Sequence, residues 1–299
     1  MKSLQIEYLR RRAEIVRAIR RFFDGRDFLE VETDVRIEAP APECHIDCPP
    51  VATGGFLRAS PELQMKKLLA AGLDRIYQIG PCFRDGERGS RHNPEFTMIE
   101  WYRRNATYLD IKADLESLMH ILTADGSFSQ PLRISSLRVR DAYLQHAGWD
   151  PWVDWNQDRF DFDMATVIEP KLKEMGGGVF LTDYPVQAAS LARITGSVAE
   201  RWEFYWDGME LANCFTELCD EDEQRRRFQQ AKAERRELGE SDYPLDEDFF
   251  ACLPQIGSAA GVALGIDRLI MVLTGAKDIA SVRGNLPPFS PSLRFDGLF

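Results

Sequence analysis

The stretch IYQIGPCFRDGERGSRHNPEFTMIEWY, residues 76–102, decides the fold. An apolar run ends at Phe83, a charged, glycine-containing segment fills 85–90, and an alternating run follows from Glu95 to Tyr102. Two extended runs around such a loop predict a β-hairpin. Successive strand side chains point to opposite faces, so Phe96, Met98, Glu100 and Tyr102 share one face and Thr97, Ile99 and Trp101 the other. The first face carries a ring, a carboxylate and a phenol on rigid backbone. Arg84 stands where the first strand enters the loop, with Arg88, Arg91 and His92 beyond it. Such a surface could stack a purine, neutralise a phosphate beside it and hold a cation further along. The same residues also suit a plain amphipathic hairpin with a solvated charged loop.

Upstream, Arg58-Ala59-Ser60-Pro61-Glu62 opens a helix expected from Glu62 to about Ala71, with Gly72 as its stop. Ser60 is read as the N-cap and Pro61 as the first helical residue, which leaves Glu62 able to face a ligand. The Pro-rich segment EAPAPECHIDCPP at 38–50 cannot be regular throughout. Residues 4–24 carry apolar positions at helical spacing, and FLEVETD at 28–34 suits a helix–strand junction. The six cysteines form no CxxC pair. Cys44-His45 with Cys48 is only loosely ligand-like and has no second ligand pair, so reduced thiols are expected.

Downstream, Tyr108–Leu122 reads as a helix, the tryptophans of WDPWVDW at 149–155 as packing, and Arg159–Met175 as a helix stopped by Gly176-Gly177-Gly178. VFLTDYP at 179–185 reads as a buried strand. Residues 200–218 form a second hairpin signal, RWEFYW and MELANCF around Asp207-Gly208. Its second strand carries Glu210, Asn213 and Glu217. Glu210 and Glu217 stand seven apart, an odd spacing that separates them by face. They meet one ligand only if the strand bulges or ends near Phe215; otherwise they are unrelated surface acids. Residues 220–239 form a mostly solvated helix with acids first and bases later. GVALGIDRLIMVLTG at 261–275 runs from strand into helix, with Asp267 able to cap and Arg268 in the first turn, an arrangement suited to an anion.

At 299 residues, 44% hydrophobic and 28% charged, the chain has the composition of a globular protein with a full core. No run approaches the ~20 apolar residues of a membrane helix. The basic start lacks the apolar core of a signal peptide, so the cytoplasm is the expected location. A net charge of −11 argues against a dedicated binder of nucleic-acid bodies.

These segments resemble the three motifs of the class II aminoacyl-tRNA synthetases in their lysyl form, across nearly the whole chain. Residues near 10–40 are similar to motif 1, with Asp34 where the family usually has proline. Motif 2, near 76–103, is carried by Phe83-Arg84, His92-Asn93-Pro94-Glu95-Phe96-Thr97 and Glu100-Trp101-Tyr102. Motif 3, near 261–275, is carried by Gly265-Ile266-Asp267-Arg268. Glu210, Asn213 and Glu217 match the block Glu-x-x-Asn-x-x-x-Glu, with Cys214 where glycine is frequent. The resemblance implies an α+β fold, a mainly antiparallel sheet flanked by helices, in one catalytic domain over 1–299. A lysyl-tRNA synthetase carries an anticodon-binding barrel before motif 1. Here the motif 1 helix begins almost at Met1, so a catalytic core without that barrel is expected. That architecture resembles the elongation factor P lysine lysyltransferases, as do Ala263, where true synthetases have glycine, and the Gly86-Glu87 pair.

The resemblance implies activation of lysine or (R)-β-lysine by ATP, with Mg²⁺, and transfer to a lysine of elongation factor P by a homodimer. It assigns nucleotide binding to Arg84, Asp85, Gly86, Glu87, His92, Asn93, Phe96, Glu210, Leu211, Gly265 and Arg268. Arg84 grips the α-phosphate, Phe96 stacks on adenine, and Arg268 holds the far phosphate; these two arginines are the catalytic candidates. Glu87 stands one residue beyond the synthetases' adenine-contacting glutamate. Amino-acid binding is assigned to Ser60, Glu62, Glu100, Tyr102, Asn213, Glu217 and Ala263, and metal binding to Glu210 and Glu217. Glu62, Glu100 and Glu217 offer anions for two ammonium groups. A free-standing core charging tRNA or a small molecule, and an inert paralogue acting as a binding subunit, are the alternatives.

Overall fold

The computed structural model describes residues 2–124 and 132–284. Met1, 125–131 and 285–299 lie outside the described residues, and with them those parts of the domain expected over 1–299. The chain opens with α1 (Lys2–Asp24), β1 (Leu29–Glu30), β2 (Arg36–Ile37), β3 (Phe56–Leu57) and α2 (Glu62–Ala70). The first hairpin, β4 (Arg75–Phe83) and β5 (Glu95–Arg104), precedes α3 (Tyr108–Thr123). Then come β6 (Ile134–Arg138), α4 (Val139–Ala142), α5 (Gln157–Asp163), α6 (Glu169–Met175), β7 (Gly178–Pro185) and β8 (Ile194–Thr195). The second hairpin is β9 (Val198–Trp206) and β10 (Met209–Thr216), followed by α7 (Glu221–Glu237), α8 (Glu247–Ile256), β11 (Ala259–Gly265) and α9 (Ile266–Thr274).

Nine strands share one sheet in the order β1-β4-β5-β11-β10-β9-β7-β6, with β8 on β9. From β4 to β7 every pairing is antiparallel; β1 on β4 and β6 on β7 are parallel. The fold is therefore α+β with a mainly antiparallel sheet, as the motifs imply. Strand β11 follows the sheet's other strands in sequence yet lies at its centre, which brings both hairpins against one strand.

The alternation read along 95–102 holds. Ile99 and Trp101 join Phe23, Leu115 and Leu269 in the core between the sheet and α1, α3 and α9. Tyr102 enters the opposite cluster, with Leu63, Phe215 and Leu253. Burying a ring the size of Trp101, fully inaccessible here, contributes about 4–6 kcal/mol from ~150–250 Å² at ~25 cal/mol per Å². Arg58, also buried, pins the segment before α2: its Nη1 donates to Thr33 O at 2.9 Å and its Nε to Pro81 O at 3.2 Å. A Cβ on Gly80 would lie 2.8 Å from Arg58 Nη2, so the strand leaves room for this guanidinium only as glycine.

Three local readings need correction. Helix α2 starts at Glu62 as expected, but Pro61 rather than Ser60 stands at the cap position. The Ser60 hydroxyl still accepts from the Glu62 N–H at 3.0 Å, because it turns toward the sheet. Asp267 does not cap α9; Gly265 occupies that position, and Asp267 is buried in an ion network instead. The 159–175 helix is two helices joined by a π-helical turn at Met164–Ile168, where Glu169 N–H donates to Met164 O. Pro170 supplies no backbone donor, so the ladder widens just before it. The tryptophans of 149–155 do pack into the second cluster.

Candidate active site

One β-bulge sets the geometry of the site. In the β9–β10 hairpin, Asp207 and Gly208 both take positive φ, 46° and 72°, as a tight two-residue turn requires. Register then shifts between Glu210 and Ala212, which pair with Tyr205 and Phe204. The extra residue, Leu211, cancels the odd spacing. Glu210, Asn213 and Glu217 now face the same way, as the sequence demanded of any shared site.

Cross-strand pairing turns this into a continuous row. Gln78, Glu100, Ala263, Asn213 and Glu203 are successive partners across β4, β5, β11, β10 and β9. Ala263, the small residue among polar ones, lies at its centre. The next row on the same face runs Tyr102, Gly261, Phe215, Arg201. A Cβ on Gly261 would sit 2.9 Å from Glu217 Oε1 and even closer to the Tyr102 ring, so Tyr102 lies flat across β11 only because position 261 has no side chain.

Above these rows lies a cavity of about 380 Å³. It is lined by Ser60, Glu62 and Tyr102; by Arg84, His92, Asn93 and Phe96; and by Glu210, Leu211, Asn213, Glu217, Ala263, Gly265 and Arg268. Three distant segments thus converge as the motifs imply. Four candidates do not line it. Glu100 lies beneath, while Asp85, Gly86 and Glu87 stay in the hairpin loop, Glu87 3.5 Å from the Arg84 guanidinium.

One end is cationic. The Arg84 guanidinium lies 5.3 Å from the centre of the Phe96 ring, and its Nε is buried without a partner. Arg268 donates to the Glu210 and Arg91 carbonyls at 3.0 and 3.2 Å, beside the start of α9. Burial and the nearby Arg268 push the His92 imidazole below its usual range, which keeps it neutral among arginines. A Cβ on Gly265 would meet nothing nearer than 3.9 Å, so its absence leaves open space rather than relieving a clash. Beneath this end, Asp267 accepts from Thr97 N–H at 3.0 Å and pairs with Arg12 at 2.5 Å and Arg283 at 2.8 Å. These contacts fix α9 against β5 and α1.

The other end is acidic. Glu100, fully buried, accepts from the Ser60 hydroxyl at 2.6 Å and the Tyr102 hydroxyl at 2.7 Å. Burial, with Glu62 nearby, pushes its carboxyl up to about 7. Glu62 and Glu217 are bridged by Lys66, each 2.5 Å from its Nζ, which is inaccessible to solvent. Burial opposes the Lys66 charge, but the two carboxylates outweigh it and hold the ammonium protonated. Burial pushes Glu217 up to about 8 despite Lys66, and its Oε1 has no hydrogen-bond donor. Glu210, pushed up to about 7 by burial and Glu203, belongs instead to the cationic end, 4.0 Å from Arg268.

Sequence reading missed Lys66, Arg201, Glu203 and Glu43. Lys66 stands four residues after Glu62, the spacing at which helical side chains pair. Arg201 and Glu203 alternate on one face of a strand otherwise rich in aromatics, a sign that this face meets something polar. Their 2.5 Å pair sits within a hydrogen-bond set: Arg201 reaches Asn213 Oδ1 at 3.1 Å, and Glu203 accepts from Tyr184 and Tyr205 at 2.6 Å. Glu43 lies in a Pro-rich loop with no periodicity to flag it.

Comparison with known proteins places this arrangement among relatives. The family model described as tRNA synthetases class II (D, K and N) matches residues 2–284. Elongation factor P–(R)-beta-lysine ligase of Proteus mirabilis is 36% identical over 94% of this chain and 95% of its own length. The same-named proteins of Histophilus somni and Vibrio cholerae are 37% and 36% identical, each over 94% of this chain, and over 95% and 96% of their own lengths.

Proposed function

Since the chain belongs to the class II tRNA synthetase family and, within it, to the elongation factor P–(R)-beta-lysine ligases, we propose that its cavity makes an aminoacyl-adenylate from ATP and a lysine isomer. The protein is an ATP-dependent ligase that joins lysine or (R)-β-lysine to a lysine side chain of elongation factor P. One observation carries this reading: a single cavity with guanidinium groups at one end and buried carboxylates at the other. A nucleotide's phosphates suit the first end and a doubly cationic amino acid the second. An inert binding subunit would have no need to keep both.

The substrate carboxylate, already a nucleophile at neutral pH, attacks the α-phosphorus in line and expels pyrophosphate. Arg84 offsets the charge developing on the α-phosphate, Arg268 holds the far phosphate, and Phe96 stacks on adenine. Glu62, Glu217 and Tyr102 surround the amino acid, and Glu100 positions Tyr102 and Ser60. The adenylate's carbonyl then accepts the neutral amine of the acceptor lysine, forming an amide and releasing AMP. Among the described residues no three-ligand carboxylate, imidazole or thiol cluster stands ready for a metal. A magnesium ion carried largely by phosphates and water needs only one or two carboxylates, and Glu210, at the phosphate end beside Arg268, fits that role, whereas Glu217, expected to share it, is held against Lys66 at the other end. Such an ion would supply further neutralisation of phosphate charge.

Among the described residues no helix is long and apolar enough to cross a membrane, and we read the enzyme as a cytoplasmic homodimer built through residues 10–40. The test is mass spectrometry of elongation factor P incubated with this protein, ATP and each lysine isomer. A mass gain on one acceptor lysine is expected. No gain with any isomer would overturn the reading.

A further inference from the structure

The acids at the cavity's cation-accepting end are not equally available. Glu62 and Glu217 share the Lys66 ammonium, so even with both ionised the trio carries no more than one net negative charge. Both oxygens of Glu100 already accept from Ser60 and Tyr102. Glu203 is held by Arg201, Tyr184 and Tyr205, and Glu210 lies beside Arg268 at the phosphate end. Glu43 also lines the cavity, close enough to Glu62 and Arg84 for their charges to act on it. Its carboxylate forms no hydrogen bond or ion pair among the described residues. A guest with two ammonium groups needs two anionic charges in place before it enters. The Lys66-bridged pair supplies no more than one; Glu43 is the remaining source of the second.

The loop bearing Glu43 is held for such a task. Arg235, fully buried on α7, donates from Nη1 to Glu43 O at 2.6 Å and Ile46 O at 3.1 Å. It pairs with Asp47 at 2.6 Å and Glu240 at 2.9 Å, and lies 4.6 Å from the centre of the Tyr243 ring. Asp85 N–H donates to Asp47 O at 2.7 Å, tying the same loop to the motif 2 hairpin. One planar guanidinium with several fixed acceptors sets backbone position more tightly than a lysine ammonium could.

We propose that Glu43 is a specificity-determining residue that receives one of the two ammonium groups of the amino-acid substrate, and that Arg235 is the residue positioning it. This rests on the ligase reading above. Burial and Glu62 push the Glu43 carboxyl above its usual range, and an arriving ammonium relieves both effects.

The test is pyrophosphate exchange by wild-type and Glu43→Gln protein with lysine and (R)-β-lysine. Norleucine, which lacks the distal ammonium, and 6-aminohexanoate, which lacks the α-ammonium, serve as competitive inhibitors. Loss of a charge-assisted hydrogen bond should raise the KM for the preferred isomer about ten- to a hundredfold, with the KM for ATP within about twofold. One of the two inhibitors, the one lacking the ammonium that Glu43 receives, should bind both proteins equally. Arg235→Lys should weaken the amino acid in the same direction in wild type and add nothing in the Glu43→Gln background. An unchanged KM, or equal loss for both inhibitors and ATP, overturns the proposal while leaving the ligase reading intact. Failure of wild type to exchange with either isomer would overturn both.

Discussion

Replacing Gly261 by alanine tests the packing on which the amino-acid end depends. The added methyl would lie 2.9 Å from Glu217 Oε1 and closer still to two carbons of the Tyr102 ring. Carbon atoms settle near 3.5–4.0 Å, so the ring must retreat by more than about 1 Å. The 2.7 Å bond from its hydroxyl to Glu100 cannot survive that movement. Overpacking of this kind costs about 1–3 kcal/mol, and a lost hydrogen bond to a buried carboxylate a further ~1.5–3 kcal/mol. Together they predict destabilisation of about 3–5 kcal/mol, read as the shift in urea unfolding of the ligand-free protein. A second prediction comes from the same contact. In a Tyr102→Ala background the ring is gone, and Gly261→Ala should cost less than about 1 kcal/mol because only Glu217 must adjust. Wild-type stability for Gly261→Ala, or an equal cost in both backgrounds, would refute the idea that this glycine exists to seat Tyr102.

Arg84→Ala should reduce adenylate formation about 10²–10³-fold, measured by pyrophosphate exchange, with the unfolding midpoint unchanged; its Nε is buried without a partner, so the fold loses no hydrogen bond there. Ala263→Gly should shift the ratio of kcat/KM values toward α-lysine by about tenfold, because one methyl is removed at the centre of the polar row; equal ratios before and after would count against it. Glu100, pushed up to about 7, binds more protons folded than unfolded between about pH 4.5 and 7, so ligand-free stability should fall as pH rises through that window. Glu100→Gln should flatten this decline when urea midpoints are compared at pH 5 and pH 8, and an unaltered slope would remove Glu100 as its source.

What the sequence determined by itself was local and periodic. Alternation placed Ile99 and Trp101 in one core and Glu100 and Tyr102 on the other face, because strand geometry admits only two directions. Asp207-Gly208 fixed a tight turn, and the odd separation of Glu210 and Glu217 called for a bulge, or a strand ending near Phe215, if both were to meet one ligand; the structure supplies the bulge, at Leu211. The motif residues likewise announced most of the cavity wall. Only the tertiary structure decided which charges are free. Lys66 lies within a helix whose sequence gives no hint of Glu217, more than a hundred residues away, yet it neutralises part of the pocket. Asp267 suited a helix cap until Arg12 and Arg283, brought together from opposite ends of the chain, claimed it. Glu43 sits in a loop with no period to betray its direction. Periodicity records which way a side chain points, whereas charge balance depends on who else arrives there, and folding alone settles that.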